Sequence, residues 1–353
     1  MNRTIVAYGV ALVLAYGAAY VTWKQPAESV RSDSVVILPG KVEELEGITF
    51  TSERLELELD QQEDALGRYA WVRATPKVPE ETEEAAEEAA PDLAEPADPH
   101  GHDAPAKAKP EPEEPSEFKA GKTVDAILEG LAPFVAKRAL DQVDDAQLEE
   151  LGLAPNPSKL VLRRKGKPAK TFLLGDAVYG GAHYYVQDPE TSKVYVVDAS
   201  LLRPLFTGNV SLPETMLFAA EAQEIRRFEV QSGAAKAVFE QHNPDDPQAR
   251  FWTRDGQDDA DAAAAAWIDK ALRLRSAAYV PQGRQPAALD EAFSFTVHAR
   301  RSVRVTVFRS FDDDGEEQWF AESEYTRGLV RLHPSMAAEA MADLPSVLEE
   351  QGA

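Results

Sequence analysis

Apolar and polar residues alternate with a period of two over two adjacent stretches near the start of the chain, ITFTS (48–52) and LELELD (55–60). That period belongs to a strand with one face toward a core. ALGRYAWVRAT (65–75) reads as the returning strand, with Trp71 as its core anchor. Further on the period changes. In KTVDAILEGLAPFVAKRAL (122–140), Val124, Ile127, Leu128, Leu131 and Val135 recur at helical spacing. This predicts an amphipathic helix with Thr123 capping its start and Lys137 and Arg138 complementing its C-terminal dipole. DDAQLEELGLAPNP (144–157) predicts a short helix stopped by Gly152. Four β-branched or aromatic runs follow, KLVLRR, KTFLLG, AHYYVQ and KVYVVD, between Lys159 and Asp198. The segments between them, KGKPA, DAVYGG and DPETS, have the composition of turns. Gly175-Asp176 and Gly180-Gly181 are expected at the bend between the second and third runs, and SLLRPLF (200–206) closes as a helix.

The second half repeats this order. AQEIRRFEVQS, KAVFEQ and ARFWTRDG predict strands, with Trp252 in the place of Trp71. DDADAAAAAWIDKALRLRSAAYV (258–280) predicts a helix with aspartates at its start and arginines at its end. FSFTVHAR, SVRVTVFRS, EQWFAES and GLVRLHP are again four strands, and PSMAAEAMADLPSVLEE closes in helical segments. Leu160 and Phe295, Thr171 and Thr306, Tyr184 and Trp319, and Leu201 and Met336 all stand about 135 residues apart. A constant offset over so long a stretch predicts two related units.

Two segments lie outside this pattern. Residues 76–118 are Pro, Glu, Ala and Asp with almost no large apolar side chain. Such a segment cannot bury enough surface to offset its ordering entropy, and it is expected to be a disordered acidic insert. Its HGHD (100–103) reads as solvated residues before it reads as a weak metal site. At the other end, Thr4 to Trp23 is an uncharged run between Arg3 and Lys24. About 20 apolar residues span the ~30 Å hydrocarbon core of a bilayer, and Tyr20 and Trp23 suit its interface. An uncleaved anchor through residues 4–23 is expected, with the N-terminus in the cytoplasm. The alternative is a cleaved signal peptide ending in the small residues of YGAAY.

The fold class expected is therefore α+β: an N-terminal transmembrane helix, then two related units of mostly antiparallel sheet with packed helices. The boundaries are an anchor over 1–24, a tether over 25–34, a first unit over 35–212 carrying the insert, and a second, degenerate unit over 213–353. A net charge of −24 argues against nucleic acid as a partner. The absence of cysteine excludes disulfides, thiol catalysis, thiolate metal sites and an acylated N-terminal cysteine.

Candidate chemistry is sparse. His183 with Asp176 as acid–base pair and Ser192 as nucleophile is the first set, and a structural histidine on a strand is the expected reading. GDAVYGG lacks the Lys-Ser/Thr and the following helix of a phosphate cradle. The basic turns RRKGKPAK (163–170) and HARRSVR (298–304) suggest contact with an acidic partner, anionic lipid or the insert, against ordinary charged protection of strand ends. Tyr179, Tyr184, Tyr185 and Tyr195 suggest a sugar-stacking platform, against ordinary cross-strand pairs. No catalytic residue, cofactor or metal site is assigned.

LEELGLAPNPSKLVLRRKGKPAKTFLLGDAVYGGAHYYVQDPETSKVYVVDASLLRPL (148–205) resembles the bacterial membrane-anchored proteins of domain of unknown function 4340. The features are a Leu-Gly-Leu followed by prolines, two short strands, an LLG turn, YYV and VYVV strands, and a Leu-rich closing helix. The resemblance extends over about Val35 to Phe206 apart from the insert. It implies an inner-membrane, envelope-facing accessory protein, similar to domains found beside gliding-motility-type ABC transporter components, with no catalytic residues to carry over. The expected function is a non-enzymatic accessory or scaffold of such a membrane complex. The alternatives are a glycan- or ligand-binding module and, third, an exported hydrolase.

Overall fold

The computed structural model describes residues 34–77 and 115–349, apart from positions 141, 282 and 313. The apolar run 4–23, the tether up to residue 33 and most of the acidic insert lie outside the described residues. Among those described, no helix is long and apolar enough to cross a membrane.

In chain order the first half contributes β1 (Val35–Leu38), β2 (Leu45–Thr51), β3 (Leu55–Asp64), β4 (Gly67–Pro76), β5 (Ser116–Lys119), α1 (Lys122–Leu131), β6 (Phe134–Ala136), β7 (Arg138–Leu140), α2 (Asp145–Glu150), β8 (Ser158–Arg164), β9 (Lys167–Ala177), β10 (His183–Asp188), β11 (Lys193–Asp198), α3 (Ala199–Phe206) and α4 (Gly208–Ser211). The second contributes β12 (Arg227–Ser232), β13 (Ala235–His242), β14 (Phe251–Arg254), α5 (Ala262–Leu272), β15 (Ser276–Tyr279), β16 (Asp290–His298), β17 (Ser302–Phe311), β18 (Glu317–Ser323), β19 (Val330–Leu332), α6 (Pro334–Asp343) and α7 (Pro345–Leu348). The class is α+β, with mostly antiparallel sheets and several short helices.

The first sheet runs β5-β4-β3-β2-β8-β9-β10-β11-β7, and β1 pairs separately with β6. The second runs β14-β13-β12-β16-β17-β18-β19-β15. Element by element these are the same order, with β5 added at one edge of the first. At the corresponding edge of the second, Thr253 makes only an isolated bridge to Ala260. Each sheet covers one face with helices. Val124, Ile127, Leu128 and Leu131 of α1 and Leu202 and Leu205 of α3 bury against Ile48, Phe50, Leu160 and Phe172. In the second half Trp267 and Ile268 of α5 pack on Phe228, Phe293 and Phe295. The Trp267 indole donates to the Ala340 carbonyl at 2.7 Å, which ties α5 to α6 without leaving a buried N–H unpaired.

Local chemistry explains the helix ends. The Asp144 side chain accepts from Gln147 N and the Gln147 side chain accepts from Asp144 N, a capping box at the start of α2. Its end is Gly152, at φ +67°, where a side chain would be strained. Asp198 and Asp261 cap α3 and α5 through their side chains.

Several expectations need correction. The N-cap of the first helix is Gly121, which offers no side chain, so Thr123 does not cap it. It ends at Leu131, because the residue before Pro133 is disfavoured in the α region. Val135 therefore lies on β6, and Lys137 and Arg138 are not at a helix terminus. Likewise SAAY (276–279) is not helix but the edge strand β15. In both halves the chain leaves its first long helix and returns to the far edge of the sheet. The insert does not extend to Phe118: Ser116 is already paired in β5, and Phe118 is 2% exposed. Gly175 and Asp176 lie in β9 rather than at the bend. A side chain at Gly175 would collide with the Leu151 carbonyl, which accepts from Asp176 N. Finally, Trp71 is not a core residue. Ala70, Val72 and Ala74 are the buried face of β4, so Trp71 points to the other side, whereas Trp252 is buried against Phe228. A strand turns its side chains over at every residue, so the two tryptophans serve different contacts.

Candidate functional site

The residues singled out in the sequence do not form a constellation. His183 pairs across the ladder with Asp198, while Ser192 sits beyond the Asp188–Lys193 pair at the opposite end of the hairpin. Five residues of strand separate them, roughly 17 Å at ~3.3 Å per residue. Asp176 is held by the loop after α2, and no hydrogen bond joins it to His183 among the described residues. The tyrosines do not share a face either. Tyr184 stacks on Phe206 in the core at 5.3 Å, Tyr195 is buried, Tyr185 takes the opposite face, and Tyr179 is fully exposed at the hairpin tip. The basic turns are largely partnered by the fold itself. Arg163 meets Asp60, Lys167 meets Glu44, and Lys170 meets Asp188 and Glu190. In the second turn His298 meets Glu229, Arg300 meets Glu224, and Arg304 meets Glu291. No cluster of three or more metal-ligating side chains occurs among the described residues, and HGHD lies outside them.

The site with perturbed chemistry is elsewhere, in the cleft where the two sheets meet. Residues 212–216 thread between them. Gly121 N donates to Leu212 O and Glu214 N to Lys119 O, on the first sheet's side; Ser276 N donates to Thr215 O on the second's. This backbone stitching fixes Lys119 and Glu214 side by side. Lys119 is 5% exposed and Glu214 6%. Their charged atoms stand 3.7 Å apart. The Glu214 carboxylate also accepts from Tyr325 OH at 2.6 Å and from Met216 N at 2.9 Å. The Lys119 ammonium lies 3.1 Å from the centre of the Tyr325 ring, a cation–π contact in a water-poor setting.

Around this centre the two halves are clamped. Arg327 donates to both oxygens of Asp64 at 2.6 and 2.9 Å, and its guanidinium lies 3.8 Å over the Tyr69 ring. Arg301 donates to the Ala65 carbonyl at 3.1 Å. Trp71 meets the edge of Tyr279 at 6.4 Å, which is what its outward direction serves. The Tyr279 hydroxyl is buried with no partner among the described residues.

The titrations follow from burial. Desolvation lowers the Lys119 ammonium from 10.5 to about 8, against the opposing pull of Glu214. Burial raises Tyr325, and its hydrogen bond to the Glu214 carboxylate raises it further. Burial raises Tyr279 and Asp125 as well. The hydrogen bonds from Arg327 hold Asp64 down at about 2. A lysine near 8 is in principle a base or nucleophile. Here its nitrogen is engaged by a carboxylate and an aromatic face, so the arrangement chiefly joins the two halves. Sequence reading missed it because its members are about a hundred residues apart, and Lys119 looks like the end of the insert.

No curated protein and no solved structure matches this chain. The family model described as Domain of unknown function (DUF4340) matches residues 113–292. The matched stretch begins later and ends later than the resemblance over Val35 to Phe206. It runs from the first sheet through the linker into the second, and so contains both Lys119 and Glu214. Since the match covers just over half of its 353 residues, the chain belongs to the DUF4340 family.

Proposed function

We propose that this protein is a non-enzymatic component of the cell envelope. It is a single-pass protein held in the inner (cytoplasmic) membrane by residues 4–23. Its two related units, 35–212 and 213–353, face the periplasm or cell exterior. There it is an accessory or scaffold of a membrane complex, of the ABC-transporter kind. The observation that carries this reading is the use made of the most buried ion pair. Lys119 and Glu214 bind each other and Tyr325 at the junction of the sheets, which favours a role in joining the two halves over one in chemistry. The shared strand order supports an origin of both units from one by duplication. The uncharged run and its aromatic end support the anchor.

The test is extraction of the full chain from membranes in mild detergent, followed by cross-linking and identification of what co-purifies. A stable membrane complex that survives His183→Ala is the expected result. Recovery of the protein alone in the soluble periplasmic fraction would overturn the reading. A glycan-binding reading has one observation in its favour, the fully exposed Tyr179 at the tip of the β9–β10 hairpin.

A further inference from the structure

The cleft between the sheets has a charge opposite to that of the chain. Five basic side chains line it, Arg68, Lys119, Lys122, Arg301 and Arg327, against two acids, Asp125 and Glu214. The whole chain carries −24. Two of the cations are occupied: Lys119 by Glu214, Arg327 by Asp64. The other three have spare capacity. Arg301 uses one guanidinium nitrogen on a carbonyl. Neither Arg68 nor Lys122 makes an ion pair or side-chain hydrogen bond with a carboxylate among the described residues. They come from three separate segments, the β3–β4 hairpin, the first residue of α1 and the β16–β17 turn. Only the docking of the two sheets brings them to one cavity. That cavity is about 250 Å³, just below the size range of sites that enclose drug-sized ligands.

We propose that this cleft binds a small multivalent anion of the carboxylate or phosphate class, held by Arg68, Lys122 and Arg301. Guanidinium groups offer paired N–H donors that match carboxylate and phosphate oxygens, and a concave wall focuses the positive field. Glu214 does not oppose such a ligand strongly, because Lys119 and Tyr325 already satisfy it. Asp125 does oppose it, being the remaining acid on the wall. A free anion and the phosphate of a lipid headgroup share this chemistry. The inference does not depend on the proposed scaffold role.

The experiment uses the full chain in detergent. Calorimetric titrations are made with citrate, with inorganic pyrophosphate, and with vesicles containing phosphatidylglycerol. Wild type is expected to bind at least one probe, more weakly as salt rises. R68Q/K122Q should lose at least about tenfold in affinity. D125N should bind more tightly. Neither variant changes a buried contact, and unchanged melting temperatures would confirm intact folding. Binding of citrate or pyrophosphate supports a free anion; binding confined to vesicles and lost in R68Q/K122Q supports a lipid phosphate. Absence of binding by every probe, or binding indifferent to R68Q/K122Q, overturns the proposal.

Discussion

Replacing Glu214 by Gln tests the junction between the sheets, because its effect must depend on pH in one direction. The side chain keeps its shape but loses its charge, leaving the Lys119 ammonium buried with no countercharge. Lys119 can escape by losing its proton, and this sets a ceiling on the cost. With Lys119 titrating near 8, the neutral amine at pH 6 lies about 2.7 kcal/mol above the charged form. At pH 7 the gap is about 1.4 kcal/mol, and by pH 9 it has vanished. The charge-dependent loss in E214Q is therefore bounded by these values. A pH-independent loss of about 1 kcal/mol is added for the hydrogen bond that one amide oxygen cannot replace. The assay is calorimetric melting of full-length wild type and variant in detergent at pH 6, 7.5 and 9. At roughly 2–4 °C per kcal/mol for a domain of this size, E214Q should melt up to about 7–15 °C below wild type at pH 6 and only about 2–4 °C below at pH 9. A deficit equal at the two extremes, or larger at pH 9, would refute the reasoning.

Wild type itself should become more stable between pH 8 and 10. Lys119 has a depressed folded pKa, so over that window the unfolded chain binds the extra proton; above 10 the trend should reverse, because Tyr279 and Tyr325, raised in the fold, ionise first when unfolded. Denaturant titrations across that range check it, and a flat or falling curve from 8 to 10 would count against it. Trp252→Ala should cost about 3–5 kcal/mol as a buried aromatic, and Trp71→Ala clearly less, about 1–2 kcal/mol, since Trp71 is half-buried between the sheets. Equal losses in chemical denaturation would mean that Trp71 is a core residue after all. Phe118→Ala should also cost about 3–5 kcal/mol, because the residue is packed in β5; a negligible loss would show that the ordered chain resumes later.

Strands and helices with a long, regular period were legible in the sequence, and so was the recurrence of their order. The four runs from Lys159 to Asp198 became β8 to β11, and the pairs about 135 positions apart fall on corresponding strands or, for Leu201 and Met336, on the helices α3 and α6. What failed was short. FVA, RAL and SAAY each hold three or four residues, too few for a period to separate a strand from a helix's last turn. Each follows a real helix, and the apolar spacing of that helix runs on through it. SEFK failed for a different reason: its neighbours are the acidic insert, and composition averaged over a window hid Phe118. Trp71 failed because a large aromatic suggests a core, while the face it occupies is set by the buried Ala70, Val72 and Ala74 on either side.

The cleft could not be read from the chain at all, and the reason lies in its construction. Lys119 ends an edge strand, Glu214 sits in a linker, and Tyr325 and Arg327 occupy a turn before β19. Each is ordinary in its own neighbourhood. Lys119 and Tyr325 acquire shifted titration only because the linker pairs its backbone with both sheets and draws the three segments together out of water. Periodicity, turn composition and motif spacing are local signals, whereas desolvation depends on which segments exclude water from one another. The histidine, the glycine pair and the tyrosine-rich hairpin looked chemical because reactive residue types were adjacent in sequence. In the fold that adjacency disperses them, since neighbouring residues on a strand face opposite ways and the two ends of a hairpin lie far apart.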